Sequence, residues 1–226
     1  MGYDSQISFT LDTICPWTYL AKKRLDAALD QYRTAHPDSS VRFSVKYLPF
    51  QLYPEVSKEG EGKYEWYKRS KYGDSDEKMR MYTTIMSAYG RSVGIDFKFG
   101  GTVANTLDAH RLIQRYQEVR GPDCADKLIN TLYMLYFENE EHPSSLDTLL
   151  KAAKEAGIPE DEAKAFLEDE SEGLQEVKKL MQEQARNGTD AVPTVVFEGR
   201  KRDFTLVGAK EVQEYFKTME QVAKEA

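Results

Sequence analysis

The chain has 226 residues, 40% hydrophobic and 31% charged, with a net charge of −7. This composition fits a soluble globular protein that can bury a core without covalent staples, and the acidic balance argues against general nucleic-acid binding, which needs a clustered basic field. No apolar run approaches the roughly 18 residues of a membrane span, and "MGYDSQISFTLD" has no signal-peptide pattern, so the expected location is the cytoplasm.

Ile7, Phe9 and Leu11 alternate with other residues and read as a half-buried strand. The period then lengthens, and Ala21, Leu25, Ala28, Leu29 and Tyr32 share one helical face. "HPDSS" (36–40) is a turn, after which Val41, Phe43, Val45 and Tyr47 alternate until Pro49. A crossover helix between neighbouring strands implies that they run parallel. From about residue 54 the chain becomes charged, with glycines and scattered aromatics, a loop or weak helix. Helical stripes follow: Tyr82, Ile85, Met86, Tyr89 and Val93; Ala109, Leu112, Ile113 and Tyr116; Leu128, Leu132, Leu135 and Tyr136. Two more are Leu146, Leu149, Leu150 and Ala153, then Leu174, Val177 and Met181. Together they predict a block of roughly five helices without strands. Strand character returns at Thr194–Phe197 and Phe204–Val207, joined as a hairpin through "EGRKRD". A last helix carries Val212, Tyr215, Phe216 and Met219.

The order is βαβ, a helical block, then ββα. It predicts an α/β thioredoxin fold with a large all-helical insertion. The expected division is residues 1–60 and 190–226 for the two halves of that fold and 61–189 for the insertion.

Cys15 sits where the first strand pattern gives way to the first helix pattern. Free N–H groups and the positive end of the helix dipole favour a thiolate there. Cysteines so placed reach pKa values of roughly 3.5–7.5. Pro16 suits the first helical position, where a missing N–H costs nothing. A dithiol enzyme would carry its second cysteine at position 18, but Thr18 stands there. Its hydroxyl could donate to the Cys15 sulfur, yet it cannot attack a mixed disulfide. Cys124, the other cysteine, also begins a helix pattern, beside Asp123 and Asp126, whose charges oppose a thiolate. Two thiols so far apart in a cytosolic chain are expected to be unbonded.

Several motifs occur in a fixed order: "DTICPWTY" (12–19), "PFQLYP" (49–54), "NTLDAHRL" (105–112), "AVPT" (191–194) and "VGAK" (207–210). In these the chain resembles the DsbA-like thioredoxin family, in particular its FrnE-like branch, over residues 4 to about 216. Thr18 is the departure. The resemblance implies a thiol–disulfide oxidoreductase, here reduced to one nucleophile, Cys15, with Thr18 beside it. It implies no tightly bound cofactor, with glutathione as a co-substrate that could resolve the mixed disulfide. A related pattern is that of glutathione-dependent transferases and isomerases of small aromatic molecules, which polarise a bound glutathione thiol. Those relatives carry an acidic residue where Lys210 stands, and a non-catalytic binding module is the third reading.

The resemblance further implies a cis Pro193 packed against Cys15, with the Val192 backbone free to pair with an extended thiol substrate. It places Asn105 and His110 in the wall over the active site. Pro16, Trp17 and Phe50 complete the expected substrate contacts, with Trp66 and Tyr67 as weaker candidates. His36, His110 and His142 have no ligand spacing, so no metal site is expected. A homodimer is left open; none of the helical stripes is conspicuously surplus.

Overall fold

The computed structural model describes residues 2–226. The chain divides into two compact units. One comprises the segment up to Phe50 together with Leu180–Ala226, and the other is Gln51–Lys179.

The first unit is built on a four-stranded sheet. Strand β1 (Tyr3–Leu11) leads through helix α1 (Pro16–Ala35) to β2 (Val41–Pro49), and the hairpin β5 (Thr194–Phe197) and β6 (Phe204–Val207) precedes helix α9 (Val212–Glu225). The strand order is β2-β1-β5-β6, with β1 and β2 parallel and the other pairs antiparallel. This is the thioredoxin arrangement expected from the order of elements. Ile7 and Phe9 of β1 are fully buried, as are Val195 and Phe197 of β5, so the central pair of strands carries the core. The predicted face of α1 is buried throughout, and α1 lies against α9, where Tyr32 meets Phe216; Tyr215, Met219 and Val222 of α9 are buried. Arg24 of α1 is also buried. Its guanidinium reaches the carbonyls of Ala209 and Lys210 and pairs with Glu211 at 2.9 Å, fastening the turn before α9.

The second unit is helical and richer than the stripes predicted. It contains α2 (Lys63–Tyr72), α3 (Asp76–Ser92), α4 (Leu107–Arg120), α5 (Pro122–Phe137), α6 (Leu146–Glu155), α7 (Glu160–Glu168) and the first part of α8 (Leu174–Arg186). The charged stretch expected as loop or weak helix forms α2, which buries Lys63, Trp66 and Tyr67 and stops at Gly73 in the left-handed conformation. Helix α7 was not foreseen, because its nine residues hold a single turn's worth of apolar contacts: Ala163, Phe166 and Leu167. A small antiparallel ladder, β3 (Glu61–Gly62) with β4 (Thr102–Val103), also interrupts the block expected to lack strands. Gly60 makes it fit: φ is +67°, and a Cβ there would lie 2.3 Å from the Val103 carbonyl oxygen.

The division between the units differs from the expected one at both ends. It begins at Gln51 because residues 51–57 are tied to Asn105 in the second unit, not to the sheet. At the other end it falls inside α8, whose Gln184 meets Thr10 of β1.

Candidate active site

Strands β1 and β2 end side by side, with the Phe50 N–H donating to the Leu11 carbonyl at 2.9 Å. The next residues, Asp12 to Ile14, turn the chain into α1. Thr10 pairs with Thr194, so Val192 and Pro193 lie just beyond the end of β1, opposite that turn. Sheet register alone therefore gathers Cys15, Pro16, Trp17, Thr18, Phe50, Val192 and Pro193 at one edge of the first unit. The Val192–Pro193 peptide is cis.

Cys15 is the N-cap of α1, with Pro16 in the first helical position. Its N–H donates to the Asp12 carbonyl at 3.1 Å, and its own carbonyl accepts from the Thr18 and Tyr19 N–H groups. The residue is 3% exposed, and its S–H donates to the Val192 carbonyl at 3.9 Å. Burial pushes the thiol up to about 12. The Thr18 and Trp17 N–H groups and the Thr18 hydroxyl pull it down, while the Asp12 carboxylate adds to the rise. The expected depression at a helix start is thus reversed. The N–H groups are present and act in the expected sense, but loss of water outweighs them.

Thr18 is fully buried, and its one hydroxyl proton has competing acceptors. The Asp12 carbonyl is 2.8 Å away and the Cys15 carbonyl 2.7 Å. The residue pins the turn as well as facing the sulfur. Trp17 is 39% exposed and offers an aromatic surface next to the thiol. The Pro193 carbonyl accepts from the Gly208 N–H, while the Val192 N–H has no backbone partner among the described residues. The Val192 carbonyl is held by the thiol, so only half of that residue's backbone is open to an extended chain.

The sequence reading missed two members. Asp12 is fully buried three residues before the cysteine, and its carboxylate acts on the sulfur. Thr13 is buried with no hydrogen-bond partner for its hydroxyl. Both stand in the quoted "DTICPWTY", where the only available signal for Asp12 was its place one turn ahead of the thiol.

The remaining candidates belong to the second unit. Asn105 spends its amide internally: its oxygen accepts from Gln51 and from the Leu107 N–H, and its nitrogen donates to the Pro54 carbonyl. Holding the 51–57 segment, and not contact with substrate, is the role these bonds account for. His110, expected in the wall over the active site, is 1% exposed within the buried face of α4. Trp66 is buried against Tyr53 and Tyr67 as part of an aromatic cluster. Arg111 is almost wholly buried. It pairs with Asp108 at 2.8 Å and donates to the carbonyls of Phe166 in the last turn of α7 and of Asp169 and Glu172 beyond it. Cys124 is buried in α5 and, like Cys15, free.

A four-stranded sheet with a cysteine capping its first helix, opposite a cis proline, defines a thioredoxin-fold protein. The chain belongs to the DSBA-like thioredoxin domain family, which it matches over residues 6–220. It is similar to the structure of a probable DsbA oxidoreductase from Streptomyces coelicolor, at 24% identity over 98% of this chain and 91% of that one, TM-score 0.85. A 2-hydroxychromene-2-carboxylate isomerase structure shares the fold at 14% identity over 97% and 96%, TM-score 0.70. So does the cytosolic disulfide reductase DsbM from Pseudomonas aeruginosa, at 14% identity over 97% and 95%, TM-score 0.62. No curated protein matches the chain. No helix is long and apolar enough to cross a membrane among the described residues.

Proposed function

We propose that this protein is a thiol–disulfide oxidoreductase that works through one cysteine. The observation that carries the reading is Cys15 at the N-cap of α1, within hydrogen-bond reach of the Val192 carbonyl and with Thr18 where a resolving thiol would stand. In the first step the Cys15 thiol gives up its proton, and the sulfur attacks a disulfide. One S–S bond forms to Cys15 and one breaks, and the departing half leaves as a thiol that takes up that proton. Thr18 has no sulfur with which to attack that mixed disulfide. An external thiol must do so, and glutathione is the natural choice by abundance and chemistry; one DsbM structure is described with GSH. Because burial holds the resting thiol protonated, the nucleophile is latent until substrate engages the site. An extended peptide-like thiol can take the Val192 N–H by strand addition and compete with Cys15 for its carbonyl.

The same high pKa favours a second reading. A protonated Cys15 could act as a donor that steadies the thiolate of bound glutathione, as in a glutathione-dependent isomerase or transferase of small aromatic molecules. Incubation with glutathione disulfide followed by intact-mass analysis separates the two. Exchange chemistry predicts one glutathione on Cys15, removed by free glutathione and absent from Cys15→Ser. A donor role predicts no adduct and a Cys15→Ser protein that keeps glutathione binding by calorimetry, since serine is also a donor. A chain that neither forms the adduct nor binds glutathione at millimolar concentration sinks the glutathione link in both.

A further inference from the structure

Helix α3 carries large apolar side chains that stay partly exposed. Its predicted stripe included Ile85 and Tyr89 as core, but Met79, Met86 and Gly90 are the residues buried. Met81, Ile85 and Tyr89 are 57%, 45% and 41% exposed. The other large exposed apolar residues of this unit, Val119, Met134 and Leu146, lie singly on three different helices, as is ordinary. Those on α3 recur every fourth residue. With Ile85 set at zero, about 100° per residue places Met81 and Tyr89 within about 40° on either side. Ala88, also exposed, borders the stripe about 60° from Ile85, on the Met81 side.

The charges bordering this stripe say what covers it. Glu77, Thr84 and Arg91 follow one another at seven-residue steps, so they form a single flank. All three are exposed, and neither Glu77 nor Arg91 has an ion-pair partner among the described residues. The acidic end and the basic end are equidistant from Thr84. Two copies of α3 packed antiparallel about a two-fold axis near Thr84 would bring Glu77 of each against Arg91 of the other. A parallel pairing brings like ends together and leaves both charges unmatched.

We propose that α3 is a homodimer surface: two copies of this chain meet through Met81, Ile85 and Tyr89, antiparallel, with reciprocal Glu77–Arg91 pairs closing one flank. One helix face per subunit is a small interface, so association is in the micromolar range and concentration-dependent. It is isologous and closes at two subunits.

Sedimentation velocity of the full chain over a concentration series, with reductant present to exclude disulfide dimers, reads this directly. The wild type is expected to shift from monomer to dimer as concentration rises. Ile85→Glu, an exposed change whose folding is checked by circular dichroism, weakens the dimer by more than about a hundredfold, because the centre of the seam is struck twice. Glu77→Arg and Arg91→Glu each weaken self-association roughly tenfold, and mixing the two single variants restores a heterodimer in which both pairs are again opposite in sign. A chain still monomeric at about 1 mM overturns the proposal. So does a dimer indifferent to Ile85→Glu, which would place the interface elsewhere. Loss with Ile85→Glu but no rescue on mixing overturns the antiparallel pairing.

Discussion

The start of α1 and the start of α5 each carry a cysteine, and their settings look alike in one dimension. Both lie within two residues of a helix-opening proline, Cys15 just before Pro16 and Cys124 just after Pro122, and both are buried. Both donate S–H to a distant carbonyl, Cys15 to Val192 and Cys124 to Ala156 at 3.8 Å. Both thiols are raised by burial. What differs is the company. Around Cys15 the opposing pull comes from the Thr18 and Trp17 N–H groups, fixed dipoles that aim at the sulfur. Around Cys124 it comes from the charges of Arg120 and Lys127, at the ends of long side chains. Cys15 also faces a proline turn at the edge of a sheet, while Cys124 is enclosed between helices. A helix start is therefore not enough to make a thiol reactive. Solvation decides the resting state, and the fixed donors decide which sulfur can be activated when water or substrate reaches it.

The largest expected effect breaks the comparison outright. Cys15→Ser should lower disulfide-exchange rates by at least about a hundredfold, the scale of losing a covalent nucleophile, while Cys124→Ser stays within about twofold. Equal losses would mean that the two thiols act together. Next in size is the pH dependence of alkylation in the free protein. With the Cys15 thiol near 12, its rate should rise about tenfold per pH unit from 7 to 9 without a plateau; a plateau near neutral pH would show that burial does not hold in solution.

A third buried group tests the same rule with the opposite sign. Lys63 lies over the Tyr136 ring at 4.4 Å, donates to the Lys98 carbonyl, and is pulled down to about 8 by burial. Its unfolded value is 10.5, so between those values the unfolded chain holds the extra proton. Stability from this group is present above the unfolded value and lost as pH falls through 8. Lys63→Met should flatten that dependence in urea unfolding and stabilise the protein at pH 7 by up to about 3 kcal/mol. The smallest effect refines the Cys15 side. Asp12→Asn removes a carboxylate that raises the thiol, so alkylation at pH 8 should quicken by about threefold to tenfold. A slower reaction would show that Asp12 acts as a proton acceptor more than as a repelling charge.

Much of the fold was legible because its signals are local. Alternation in Ile7, Phe9 and Leu11, the "HPDSS" turn and the β5–β6 hairpin each fix an element with no knowledge of distant residues. The helical unit was less legible. In α2, three buried side chains among many charges give no stripe, and in α7 nine residues are too few for one. The α3 stripe shows a further limit: periodicity finds an apolar face but not what lies against it, and the face read as core is partly the exposed one. At the site, the cysteine, its missing partner and the distant "VPT" could be read as motif. The direction of the Cys15 shift could not, because helix-start donors are local and burial is a sum over the whole neighbourhood.

Arg111 carries a consequence for sequence freedom. One guanidinium holds the end of α7 and the turn after it through three backbone carbonyls, those of Phe166, Asp169 and Glu172. Carbonyls are the same in every residue. The turn can therefore accept substitution at most of its positions while its path is conserved, provided the fork that reads it stays whole. Lysine, a point charge with no fork, would not substitute. The specification of a seven-residue stretch has in effect been moved out of that stretch and into a single side chain far away in the sequence.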